Sequence, residues 1–297
     1  MRTKLGFLFI LAMAGVFSAQ TPSPASGAAA QQEPRAYVYR EIDGQKLQAF
    51  VFAPQGAASG KPTAAVLLFH GGGWVTGSAD WTFDEARHFA ASGLAAVAID
   101  YRLSAGKVTP IEALDDTRAA FRWVRRHAAE FNLDPKRVAG YGVSAGGQLV
   151  AAAGVLDLPG DGIDGTSSKP DLLLLWSPVL DIADVEYYAK LLQGRGRNLD
   201  YSPVQHAGAS TPPTCIVHGE KDAFVSLREV EGFRDRVVAA GGVCALNVYP
   251  GVGHLLTRNI ADQLGELDPD PKFQADGTAR LIDFLKTRGF ITKPGRK

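Results

Sequence analysis

Residues 37–41 and 46–53 alternate apolar and polar side chains around Asp43-Gly44. Period-two alternation marks a half-buried strand, and Asp-Gly between two such runs marks a tight hairpin. The pattern then changes. Continuous apolar runs recur at 64–69, 95–99, 137–141, 172–176, 214–218 and 243–249. Runs without alternation suit strands covered on both faces, as in a parallel sheet. Helical spacing fills the gaps at 81–91, 110–131, 144–154, 226–240 and 275–287. The 110–131 stretch is the clearest: Pro110 suits a first turn, Leu114, Phe121 and Val124 share a stripe, and acids precede bases along it. Strand–helix alternation of this kind predicts an α/β fold. Its sheet is mostly parallel and eight-stranded, with an antiparallel N-terminal hairpin and helices on both faces.

Two stretches break the rhythm. Residues 157–170 form a Gly/Asp/Ser loop, and 181–213 is irregular with one short helix expected at 185–192. Both leave the C-terminal ends of strands, where open α/β sheets place their ligands, so 181–213 is expected to form a small lid.

The N-terminus follows another logic. Arg2 and Lys4 precede an apolar run over 5–17, with Ser18 and Ala19 after it. That run falls short of the ~20 residues a spanning helix needs and reads as a secretory signal over 1–19. Export to the periplasm or the medium is expected, without stable membrane insertion. Residues 20–35, rich in Pro, Ala, Ser and Gln, read as a disordered linker, leaving a single catalytic domain over 36–291.

Composition narrows the function. Thirty-one Lys+Arg balance 31 Asp+Glu, so the chain lacks the basic footprint of a nucleic-acid binder. Two cysteines cannot build a four-thiolate metal site. Cys215 and Cys244 each open an apolar run and read as buried free thiols; pairing between neighbouring strand starts is the alternative.

The candidate chemistry lies where strands end. Gly142-Val143-Ser144-Ala145-Gly146 stands between the 137–141 strand and the 144–154 helix. A serine in that cramped turn projects its hydroxyl above the sheet, beside the free N–H groups of a helix start. His70-Gly71-Gly72-Gly73-Trp74 closes the 64–69 strand, and its bare amides suit a developing oxyanion. The amide after the nucleophile, on Ala145, adds a further donor. His70 itself reads as a loop-holding residue. Asp222 and His254 follow the last two strands, so the order Ser144, Asp222, His254 fits an acyl-transfer triad. Glu220 and Asp181 stay open as alternatives for the acid, while His88, His127 and His206 read as surface or structural.

With His70-Gly71-Gly72-Gly73-Trp74, Tyr101-Arg102-Leu103, Asp134-Pro135-x-Arg137, Gly142-Val143-Ser144-Ala145-Gly146-Gly147, His218-Gly219-x-x-Asp222 and Gly253-His254 in view, the chain resembles the α/β-hydrolase superfamily. The likeness is to its hormone-sensitive-lipase-like, bacterial carboxylesterase branch. It implies nucleophile Ser144, acid Asp222, base His254, oxyanion amides from Gly72, Gly73 and Ala145, and no metal or organic cofactor. Within the branch the pattern is similar to exported esterases of acetylated or feruloylated plant polysaccharide. The expected substrate is thus a small-molecule or carbohydrate ester with a short acyl group, cleaved through an acyl-enzyme. An arylformamidase, a peptidase of the same fold and a non-catalytic hydrolase-fold binding protein are the competing readings.

Overall fold

The computed structural model describes residues 32–55, 61–159, 165–263 and 265–291. The expected signal segment 1–19 and residues 20–31 of the expected linker lie outside the described residues. The hairpin forms where alternation predicts it, with β1 (Arg35–Ile42) and β2 (Gln45–Phe52) paired antiparallel. Asp43 and Gly44 both take positive φ, 49° and 79°, which matches the twist of the strands they join. β2 also runs antiparallel to β4 (Ala95–Ile99). β3 (Thr63–Phe69), β4, β5 (Leu133–Val143), β6 (Leu172–Trp176), β7 (Thr214–Gly219) and β8 (Cys244–Tyr249) are mutually parallel. The order across the sheet is β1-β2-β4-β3-β5-β6-β7-β8.

β3 shows why the central runs are continuous. Ala65, Leu67 and Phe69 join one apolar layer with Leu114 and Phe121 of α2 (Pro110–Arg126), Val150 of α3 (Ala145–Val155) and Phe233 of α7 (Leu227–Ala239). Ala64, Val66 and Leu68 join the other, with Phe89 of α1 (Phe83–Ala91) and Leu281 and Phe284 of α8 (Pro271–Thr287). Neighbouring residues alternate between two dry faces, so every position is apolar. The Tyr101-Arg102-Leu103 motif anchors this frame from its rim. Asp116 of α2, fully buried, accepts from the backbone amide and guanidinium of Arg102 and from Arg40 of β1.

Several element boundaries differ from the pattern-based expectation. α2 stops at Arg126 rather than at 131, because a run of turns follows His127 and leads to Asn132 at φ 51°. β5 pairs first at Leu133, and regular pairing resumes at Val138; Asp134 and Arg137 bond to each other across the interruption. α8 starts at Pro271, a turn before 275, with the Asp270 carboxylate accepting from the amides of Lys272 and Phe273. In 181–213 there are three short helices rather than one: α4 (Glu186–Leu192), α5 (Asn198–Tyr201) and α6 (Pro203–His206).

The two thiols are free. Thr214 pairs with Cys244 and Cys215 with Ala245, so the cysteines are one step out of register. Their side chains therefore enter opposite apolar layers, a placement that forbids the disulfide alternative.

Candidate active site

Ser144 stands between β5 and α3 at φ 53° and ψ −114°, a backbone state disfavoured for any residue with a side chain. Neighbouring bonds hold it there. Its amide donates to Trp176 at the end of β6, and its carbonyl accepts from Gln148 and Val179. The turn closes only because Gly146 has no side chain: a Cβ there would collide with the carbonyls of Phe69 and His70. β3 and the turn that carries Ser144 thus touch backbone to backbone.

The imidazole facing Ser144 comes from beyond the edge strand of the sheet. The loop after β8 carries His254, whose Nε2 lies 3.0 Å from the Ser144 hydroxyl. Its Nδ1 lies 2.8 Å from Asp222 Oδ2. Leu255 and Leu256 follow at φ 54° and 62°, and the amide of Leu255 donates to the Ser177 hydroxyl. The imidazole also meets the Phe224 ring edge-on at 5.1 Å.

The carboxylate of Asp222 is wholly buried, in the turn that follows β7. Burial pushes its pKa up, but the hydrogen bond from His254 and the amide donors around it hold the carboxyl below its ordinary range. Among those donors, Phe224 and Val225 both bond Oδ1 at 2.9 Å, leaving Oδ2 to the imidazole. His218, buried behind it, donates through Nε2 to the Val225 carbonyl. Desolvation lowers the pKa of His218, against the pull of Asp222 and the Val225 carbonyl.

The structure brings Ser144, His254 and Asp222 into one line and leaves the competing residues out of it. Glu220 accepts from the amide of Gly251, and Asp181 accepts from Ala183 and Ser202. His127 bonds its own helix at Trp123, and His206 bonds Leu199.

The glycine loop after β3 turns through three successive positive φ values, 107° at Gly72, 59° at Gly73 and 66° at Trp74. A Cβ on Gly72 would strike the Thr76 carbonyl. Among the described residues, no loop or turn carbonyl accepts from the amides of Gly72, Gly73 or Ala145. His70 braces the loop from below: Nδ1 donates to the Gly71 carbonyl at 2.6 Å, and the ring stacks on Tyr101 at 4.3 Å. Burial pushes its pKa down to about 4, so the imidazole is neutral. Trp74 donates to Gln148 on α3, and Gln148 donates in turn to the Tyr201 carbonyl on α5.

The short helices between β6 and β7 are tied to the same rim. Arg195 pairs with Glu112 at 2.6 Å and Gln193 donates to the Gly106 carbonyl. Among the described residues, no group of three His, Cys, Asp or Glu side chains is placed to hold a metal ion. None of the described helices is long and apolar enough to cross a membrane. Sequence motifs flag every residue of this line, but they do not flag Gln263, which touches the backbone on both sides of it.

A family model described as alpha/beta hydrolase fold matches residues 66–258. Over 197 residues the chain is 30% identical to Probable carboxylic ester hydrolase LipM of Mycobacterium tuberculosis, covering 59% of this chain and 45% of that protein. Esterase LipC of the same organism is 28% identical over 220 residues, covering 65% of this chain and 53% of LipC. The chain therefore spans about half the length of these curated relatives. Among solved structures, the propionate-bound esterase Est2 of Thermogutta terrifontis superposes with a TM-score of 0.78 at 27% identity, covering 90% of this chain and 98% of that one. The same esterase phosphoramylated by tabun gives a TM-score of 0.78 at 27% identity over 89% of this chain and 98% of its own.

Proposed function

Because this chain belongs to the alpha/beta hydrolase family, we propose that it is a serine carboxylester hydrolase acting on short acyl esters through an acyl-enzyme. The observation that carries the reading is the unbroken line from Ser144 Oγ through His254 to Asp222, with steps of 3.0 and 2.8 Å. A serine hydroxyl is too weak an acid to attack unaided. With Nδ1–H donated to Asp222, the other ring nitrogen of His254 keeps a lone pair for the serine proton. Ser144 Oγ bonds to the ester carbonyl carbon as that proton moves to Nε2. Asp222 stabilises the imidazolium without taking the proton itself.

The carbonyl oxygen becomes an oxyanion facing the amides of Gly72, Gly73 and Ala145. In related sites each such donor contributes ~3–4 kcal/mol to the transition state. Collapse of the tetrahedral intermediate expels the alcohol, which collects the proton from Nε2. Water then repeats the sequence on the acyl-enzyme, with His254 first as base and then as acid.

Short acyl groups are favoured by the small cover over the rim, three helices of seven, four and four residues. The propionate held by Thermogutta terrifontis Est2, a structural relative, supports the same size class. Acetyl and feruloyl esters of plant polysaccharide fall within the proposed range. The charged-then-apolar pattern of residues 1–19 supports export, which sequencing the N-terminus of the mature protein would check.

The test is turnover of p-nitrophenyl acetate by wild type and Ser144→Ala, followed by a panel of acetyl, butyryl, octanoyl and feruloyl esters, acetylated xylan, an arylformamide and a dipeptide amide. Ser144→Ala should lose several orders of magnitude in kcat with its fold intact. Near-wild-type turnover in that variant refutes the reading, and preference for the amide or the formamide moves the chain to another reaction class.

A further inference from the structure

Between His254 and α8 the chain leaves the rim and comes back to it. The neck of this excursion is closed by a bridge between Thr257 and Pro269, and the Arg258 amide donates to the Asp268 carbonyl. The Thr257 hydroxyl accepts from the Asp268 amide at 2.9 Å, and the Arg258–Asp268 ion pair closes at 2.6 Å. Within the loop, Asp262 donates its amide to Asn259, and Gly265 donates its amide to the Asp262 carboxylate. A polar loop of this kind ordinarily turns its side chains to water.

Gln263 turns inward and is only 8% exposed. Its Oε1 accepts from the backbone amide of His254 at 2.8 Å and from that of Ala223 at 3.1 Å. Its Nε2 donates to the Lys221 carbonyl at 2.9 Å. One carboxamide therefore joins the residues on both sides of Asp222 to the residue that carries the imidazole. Two donors and one acceptor converge on it, so the amide fits in a single orientation. The contact also explains the glycine of the Gly253-His254 pair, since a Cβ at 253 would collide with the Gln263 carboxamide.

We propose that Gln263 is a positioning residue of the relay: it sets the separation of the acid turn and the base loop, and through it the contact between Asp222 and His254. The proposal rests on the reading of Ser144, His254 and Asp222 as an acyl-transfer line. Gln263 acts only through backbone groups. Removing its hydrogen bonds leaves both loops in place, since Glu220 and Lys221 still bond Tyr249 and Val252 directly, but frees them to shift by fractions of an ångström. Misplacement on that scale falls on kcat more than on binding.

Gln263→Met keeps length and bulk while deleting all three hydrogen bonds; Gln263→Ala deletes bulk as well. With p-nitrophenyl acetate, Gln263→Met should lower kcat ~10- to 100-fold with KM within about 2-fold of wild type. Gln263→Glu, which restores the acceptor but not the donor, should recover part of the loss. A second readout needs no turnover: the far-downfield proton resonance of His254 Nδ1–H, bonded to Asp222, should shift or broaden in Gln263→Met relative to wild type. Wild-type kcat with an unchanged resonance in Gln263→Met overturns the proposal, as does a rise in KM with kcat intact. Were the wild-type chain to cleave no ester, the functional reading would fail while the resonance still decided the role of Gln263.

Discussion

The Tyr187 hydroxyl donates to the carbonyl of Gly73 across 3.1 Å. The next residue on each side meets as well, with the rings of Trp74 and Tyr188 edge to face at 5.0 Å. Adjacent tyrosines of α4 thus hold adjacent residues of the glycine loop. Tyr187→Phe deletes only the hydroxyl, and the Gly73 peptide gains freedom to rotate. A net hydrogen bond of ~0.5–1.5 kcal/mol corresponds to a fall in kcat of about 2- to 10-fold. Steady-state kinetics should show it with little change in melting temperature; an unchanged kcat would detach α4 from the proposed oxyanion site.

Asp222→Asn tests the other end of the line. The Asn carbonyl can still serve the amides of Phe224 and Val225, so the turn should persist. Its NH2 group would then face His254 Nδ1 and favour the wrong tautomer, leaving Nε2 protonated toward Ser144. A loss of ~10³–10⁴ in kcat is expected, with a native circular-dichroism spectrum and melting transition. A loss below about tenfold would remove Asp222 from the mechanism.

The sequence makes Ser144, Asp222 and His254 legible for a local reason. Each lies just past an apolar run, in a glycine-bearing turn, and such turns mark strand ends without any knowledge of the sheet. The two-layer core is legible in the same way, from runs such as 64–69 that never alternate. Other features depend on contacts between distant segments. The 110–131 pattern carries its apolar residues past the helix end, because Phe131 packs on the core from a turn as readily as from a helix. The three helices within 181–213 are too short to show a period. Gln263 has no motif at all, since its role arises where a loop closed by Arg258 and Asp268 happens to return.

The cysteines supply a redox prediction. Burial pushes both thiols up to about 12, and the sheet separates them. Neither should react with iodoacetamide in the native state near pH 8, and both should react in denaturant. Reductant should leave the melting temperature unchanged. A reductant-sensitive melting curve would mean that the strand register is not as described.

Glu85 on α1 shares a small cavity with Tyr141, Trp176 and Leu281. Desolvation raises its pKa from 4.5 to about 7. A carboxyl raised in the folded state favours folding while it is protonated, and that contribution disappears as pH rises through the folded value. Glu85→Gln removes the dependence. The variant should therefore match wild type below about pH 4.5 and exceed it above pH 7, by on the order of 1–3 kcal/mol. Urea midpoints at the two ends of that range provide the check, and a constant difference between the proteins would place the Glu85 carboxyl in water.

β1 lies at one margin of the sheet, with β2, β4 and β3 between it and β5. It runs in the same direction as the parallel strands, so Arg35 begins it at the end opposite the rim that carries Ser144, Asp222 and His254. The described chain consequently enters the domain at the end of the sheet away from those three residues. A bead, a carrier domain or a surface joined directly ahead of residue 32 would therefore hold the molecule by its heel and leave the rim of Ser144, Asp222 and His254 facing away from the attachment.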